Sequence, residues 1–139
     1  MTLLFTVAGS PPVDLDAIAD QLRQKIDTLP AGQPLLAAQE LASQTGVSEY
    51  LVVVRGNENP HIHPDGDLVI SVLEGGGYVE LASGNAEAPT GSIVVVPKGV
   101  CHAYYNLSDG DSVVLATFSP IHSQAACPTT APADDLNDR

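Results

Sequence analysis

The sequence predicts an all-β domain, a small sandwich or barrel with one helix near its start, and three observations predict it. Short apolar runs rich in Val, Ile and Leu recur between Glu49 and Pro120. Clusters of Gly, Pro, Asn and Asp separate them at short intervals, the pattern of sandwiches and barrels. Only Asp14 to Leu29 spaces its apolar residues as a helix does. A chain of 139 residues, 44% hydrophobic, makes one domain able to bury a core.

The elements follow in order. "MTLLFTVAGSPP" reads as a first strand; it lacks the basic leading region of a signal peptide. Leu15, Ile18, Ala19, Leu22, Ile26 and Leu29 form one helical face, with Asp14 as its cap and Pro30 and Gly32 as its stop. "PLLAAQELAS" suits strand or helix. "EYLVVVRG" is a strand by its β-branched run, and "LVISVLEG" and "GYVELAS" read as a hairpin about a Gly-rich turn. "GSIVVVPKG" reads as a buried strand ending at Pro97. "HAYYNLS" alternates, and "DSVVLATFSP" is a last strand after Ser108-Asp109-Gly110. The domain is expected over residues 1–122. Residues 123–139, rich in Ala, Pro, Thr and Asp, are expected to be a mobile tail or a strap over the domain.

Charge and length exclude some functions. Five basic residues face seventeen acidic ones, a net charge of −12. Such a surface repels phosphate backbones and anionic membranes, so neither nucleic acid nor membrane is an expected partner. No apolar run approaches the roughly 20 residues of a membrane helix. Cys101 lies beside a histidine and Cys127 in the Pro/Thr/Ala-rich stretch, so a bridge between them is not expected, and a reduced, cytoplasmic protein fits best.

The chemistry is expected at histidines. His61 and His63 stand two residues apart, which puts both side chains on one face of an extended chain. Two imidazoles so placed suit a metal ion, although an isolated pair of this kind also occurs in ordinary loops. From Gly91 to Asn106 the sequence reads "GSIVVVPKGVCHAYYN": Gly, five residues, Pro, one, Gly, two, His, three, Asn. This block resembles the second conserved motif of the cupin superfamily, and H-x-H followed by an apolar strand and "LEG" resembles the first. The resemblance covers about Tyr50 to Pro120. It implies a single-domain cupin, a double-stranded β-helix or jelly-roll barrel, and a homodimer in which "LLFTV" is an exchanged or edge-pairing strand. It also implies that His61, His63 and His102 are three of the four usual metal ligands.

The fourth ligand, usually a Glu after the second His, is missing. Counting back from Gly75 reaches Leu68; counting forward from His63 reaches Asp67. A one-residue slip in a strand reverses every side chain, so the strand register favours Leu68 at the inward position. Asp67 stays a candidate ligand, and a metal-free site in which the histidines bind a ligand directly is the third alternative. A three-histidine site is similar to those of thiol and diketone dioxygenases. The implied cofactor is one divalent transition metal, iron first, with zinc, nickel, manganese or copper as alternatives. Leu68, Ile70 and Val72 are the expected pocket wall.

The function these residues suggest is a metal-dependent dioxygenase acting on a small organic molecule. The alternatives are a cupin isomerase or lyase and a non-catalytic cupin that binds a small ligand or metal. Tyr104 shares a face with His102 and is the candidate catalytic acid, or a barrel-filling aromatic. His122 is a surface residue or stands at the barrel mouth. Arg55 and Glu40 are candidate interior polar groups, or exposed. No nucleophile triad and no phosphate loop is present.

Overall fold

The computed structural model describes residues 2–128. Two short strands, β1 (Leu4–Phe5) and β2 (Val13–Asp14), precede the helix α1 (Leu15–Asp27). Ten strands follow: β3 (Leu36–Gln44), β4 (Val47–Val54), β5 (His61–Ile62), β6 (Asp67–Glu74), β7 (Gly76–Leu81), β8 (Gly84–Pro89), β9 (Ile93–Val96), β10 (His102–Asn106), β11 (Ser112–Ser119) and β12 (Ala125–Ala126). They form two five-stranded sheets in the orders β12-β5-β10-β7-β8 and β3-β4-β11-β6-β9. This is a jelly-roll arrangement, mostly β with one helix among the described residues, and the two sheets remain open rather than closing into a continuous barrel.

The second sheet is covered on both faces, which explains its unbroken apolar runs. In β4, Leu51 and Val53 turn to the helix, while Val52 and Val54 turn to the space between the sheets. Leu15, Ile18, Ala19, Leu22 and Ile26 bury one helical face against Leu51, Val53 and Val113. Asp14 caps the helix by accepting from the backbone N–H groups of Asp16 and Ala17 at 2.9 and 3.1 Å. The half-buried Asp111 takes two guanidinium groups, Arg55 at 2.9 Å and Arg23 at 3.2 Å, tying helix and sheet together. Arg55 is therefore committed to this cluster, where Asp111 and Asp27 raise its pKa. Glu40 is exposed and accepts from the Tyr50 hydroxyl.

Several expectations need correction. Within the chain, "LLFTV" supplies β1, which pairs with β2. The ambiguous "PLLAAQELAS" is strand β3. The runs β6 and β7 do not form a hairpin. Gly75 and Gly76, at φ 79° and 135°, send the chain from one sheet to the other, and β7 forms its hairpin with β8. β9 is an edge strand rather than a buried one, with Ile93 and Val95 turned to solvent. Gly77 permits a close approach inside the first sheet, because a β-carbon there would land on the Tyr105 carbonyl oxygen.

The two cysteines are also paired. Cys101 and Cys127 form a disulfide with their Cα atoms 5.5 Å apart. Paired cysteines do not point to a reduced, cytoplasmic protein as free thiols would. The beginning of the C-terminal stretch is accordingly a strap: β12 pairs with β5, and the disulfide lies just beyond it. Residues 129–139 lie outside the described residues, so the expectation of a mobile tail cannot be applied to them. Among the described residues no helix is long and apolar enough to cross a membrane.

Candidate metal centre

The histidines meet because of strand pairing. His61 and His102 are direct cross-strand partners in the β5–β10 ladder, and His63 follows His61 at the same-face spacing. Ring centroids lie 4.4 Å apart for His61 and His102, 4.7 Å for His61 and His63, and 5.0 Å for His63 and His102. One ligand atom from each falls within 4.8 Å of the others. All three side chains are buried.

Hydrogen bonding orients the rings. His61 Nδ1 bonds the Asn59 carbonyl at 2.8 Å, His63 Nδ1 bonds the Ser123 carbonyl at 2.7 Å, and His102 Nδ1 bonds the Val100 carbonyl at 2.9 Å. A carbonyl oxygen only accepts, so each Nδ1 carries the proton and donates it. A neutral ring so bonded keeps its Nε2 lone pair free, the tautomer that metal-binding histidines use. Burial pushes the His63 imidazole down to about 4, opposed by its bond to Ser123. Burial lowers His102 in the same way. Both are thus neutral and able to ligate at pH 7. His102 Nε2 is fully buried and has no hydrogen-bond partner, a costly state for a polar atom unless something else binds it. Three unprotonated nitrogens around one point, one of them orphaned, fit a divalent transition-metal ion.

A cavity of about 440 Å³ opens beside the cluster, with His61 and His63 on its wall. Most of its remaining wall is apolar: Leu36, Val52, Val54, Leu68, Ile70, Val114, Ala116 and Phe118. Leu68 is buried and lines this cavity. Asp67 is exposed, and its Oδ1 accepts from the Lys98 N–H at 2.9 Å, so its carboxylate stands outside the cluster. Ile70 lines the cavity, whereas Val72 is packed deeper in the core and does not.

Tyr104 contributes its ring to the wall, but its hydroxyl donates to Ser112 Oγ at 2.9 Å. Ser112 in turn bonds Asn106 and Gly76. The phenol is thus the end of a buried structural network. His122 is at the cavity rather than on an open surface. Its ring packs 4.6 Å from Phe118 and 4.9 Å from Tyr50, and lies 5.6 Å from His63.

One residue on the wall was not anticipated. Glu58, in the loop before β5, brings its Oε2 to 3.9 Å from His61 Nε2. Burial raises its carboxyl above the usual range, opposed by His61 and by the Tyr104 N–H. Motif counting missed it because it precedes H-x-H, whereas the usual carboxylate follows. The available signal was a lone acid three residues before His61 and two before Pro60. Ser123 was missed as well, because a backbone carbonyl leaves no trace in residue type.

Comparison with known proteins agrees with this architecture. The family model described as "Cupin domain" matches residues 48–118. A protein of Aquifex aeolicus is 37% identical over 81 residues, 58% of this chain and 66% of that one. A germin-like protein of Oryza sativa subsp. japonica is 32% identical over 71 residues, 46% of this chain and 33% of that one. The chain thus spans less than two thirds of one relative and a third of the other. Among solved structures, KdgF from Halomonas sp. is 26% identical with a TM-score of 0.59, over 68% of this chain and 86% of that one.

Proposed function

The chain belongs to the cupin family, and on that footing we propose that it binds one divalent transition-metal ion on His61, His63 and His102. It acts on a small organic molecule held in the adjoining cavity. A dioxygenase-type reaction is the leading class, and iron the leading ion. The observation that carries this reading is the orphaned, fully buried Nε2 of His102 beside two further Nε2 lone pairs. Held by these three histidines, such an ion would supply Lewis acidity and bind substrate and O₂. The protein's own residues do the rest. Asn59, Val100 and Ser123 carbonyls hold the imidazoles in the ligating tautomer. Leu68, Ile70 and Phe118 select for apolar bulk and exclude water from one side of the site.

A second reading is favoured by one observation. The Tyr104 hydroxyl, the expected acid, is occupied by Ser112, which suits a non-catalytic cupin that holds a ligand or metal. An isomerase or lyase would use the same site for Lewis-acid polarisation alone. The assembly we expect is a homodimer, for which the exposed Ile93 and Val95 of edge strand β9 offer apolar surface.

Metal content of the purified protein, followed by O₂ uptake of the ferrous form with a panel of thiols, diketones and catechol-like acids, tests the reading. Stoichiometric metal with turnover supports the oxygenase. Stoichiometric metal without turnover of any panel member supports the binding role. His102→Ala should lower metal affinity by orders of magnitude. A protein that takes up no divalent ion even at micromolar concentration refutes the metal reading.

A further inference from the structure

The cupin motif lacks its carboxylate here, yet a carboxylate reaches the site from the opposite side in sequence. We propose that Glu58 is a ligand of the metal held by His61, His63 and His102, supplying the negative charge that Leu68 withholds. This rests on the metal reading above.

Three observations carry it. The first is the face of the ring that Glu58 meets. A carboxylate that merely orients a metal-bound imidazole bonds its protonated nitrogen, on the far side from the ion. His61 Nδ1 is already taken by the Asn59 carbonyl, and Glu58 lies against Nε2, the ligating side. The second is the chemistry of the pair. Nε2 of His61 and Oε2 of Glu58 are both lone-pair atoms that a metal ion accepts, and they face each other. Their separation is 3.9 Å, against the about 3.4 Å of two tetrahedral ligands of one ion; Glu58 stands outside the set of atoms within 4.8 Å of one another, so ligation requires its side chain to close on the histidines.

The third is preorganisation. Glu58 grips one residue of β10 in both directions: its backbone N–H donates to the Tyr104 carbonyl at 2.9 Å, and its Oε1 accepts from the Tyr104 N–H at 3.0 Å. The adjoining Asn57 forms a β-bridge to Tyr105. Oε1 is thus a tether, and among the described residues no hydrogen bond occupies Oε2. The Glu58 loop is anchored to the strand that carries His102, so carboxylate and imidazole are positioned together. Functionally, three neutral imidazoles would leave a divalent ion its full double charge. With Glu58 the site carries one unit less, which weakens its demand for an anionic substrate.

Cobalt(II) is a suitable probe, because its affinity is read by chelator competition and its coordination by visible absorption. Wild type, His102→Ala and Glu58→Gln are compared, with circular dichroism checking the fold of each. Gln retains an oxygen that can accept from the Tyr104 N–H, so it removes the charge and spares the tether. The expected result is a roughly 10–100-fold loss of Co(II) affinity in Glu58→Gln together with an altered d–d spectrum. Leu68→Glu placed on Glu58→Gln should recover affinity by returning a carboxylate to the motif position. If wild type binds Co(II), His102→Ala does not, and folded Glu58→Gln matches wild type in affinity and spectrum, the metal reading stands and Glu58 is only a wall residue. If wild type itself binds no Co(II), both ideas are overturned.

Discussion

Removing the Cys101–Cys127 disulfide should destabilise the domain and loosen the strap beside the metal centre. The perturbation is Cys101→Ser with Cys127→Ser, which leaves no unpaired thiol. The bridge closes a loop with a sequence separation of 26 residues. Loop-closure entropy for that length corresponds to about 3.5 kcal/mol at 25 °C. For a chain of this size that is a fall in Tm of roughly 10–15 °C. Little else holds the strap: Ala125 and Ala126 are exposed and pair with β5 over two residues. The strap also carries the Ser123 carbonyl that fixes the His63 ring, so metal affinity should fall along with stability. Thermal unfolding followed by circular dichroism, with and without reductant, measures the effect. Reductant should bring wild type down to the variant's Tm and leave the variant unmoved. Equal Tm values for oxidised wild type and the double variant, or two titratable thiols in unreduced protein, would refute the reasoning.

Two further predictions concern pH and backbone packing. His63 is held neutral down to about 4 in the folded, metal-free protein, whereas in the unfolded chain it titrates near 6.5. The unfolded state therefore binds the extra proton first, so stability is level above pH 6.5 and falls as pH drops toward 4, by roughly 3 kcal/mol. Urea midpoints across that range check this; the slope lost in His63→Gln is this residue's share, and an unchanged slope refutes it. Gly77→Ala should destabilise by at least about 2 kcal/mol, because the new methyl meets the Tyr105 carbonyl and must push β7 from β10. Chemical denaturation of the purified variant reads that loss directly, and a variant as stable as wild type contradicts the packing.

Much of the fold was legible because it rests on local pattern. The spacing from Leu15 to Ile26 matches the buried face of α1, and Asp14 caps it as its residue type suggests. Alternation placed Leu68 inward and Asp67 outward, and both stand so. Errors came where pairing partners mattered. "LVISVLEGGGYVELAS" looks like a hairpin, since hairpins and sheet-to-sheet crossings use the same glycines. Only the neighbours of β6, which are β11 and β9, distinguish the two. "SIVVV" looks buried, but its place at a sheet edge exposes every second side chain.

The sequence by itself determined most of the longer strands, the helix and the three histidines, because periodicity, turn chemistry and motif spacing are properties of a short stretch. It also showed that the usual Glu is missing and left Leu68 and Asp67 as the two candidates for its place. Only the tertiary structure decided what surrounds the gap. Glu58 reaches His61 because its loop docks on Tyr104, 46 residues later. Ser123 fixes the His63 ring across 60 residues, and Cys127 finds Cys101 because β12 lies against β5. Contacts between distant segments depend on how two sheets fold over one another, and no local pattern records that.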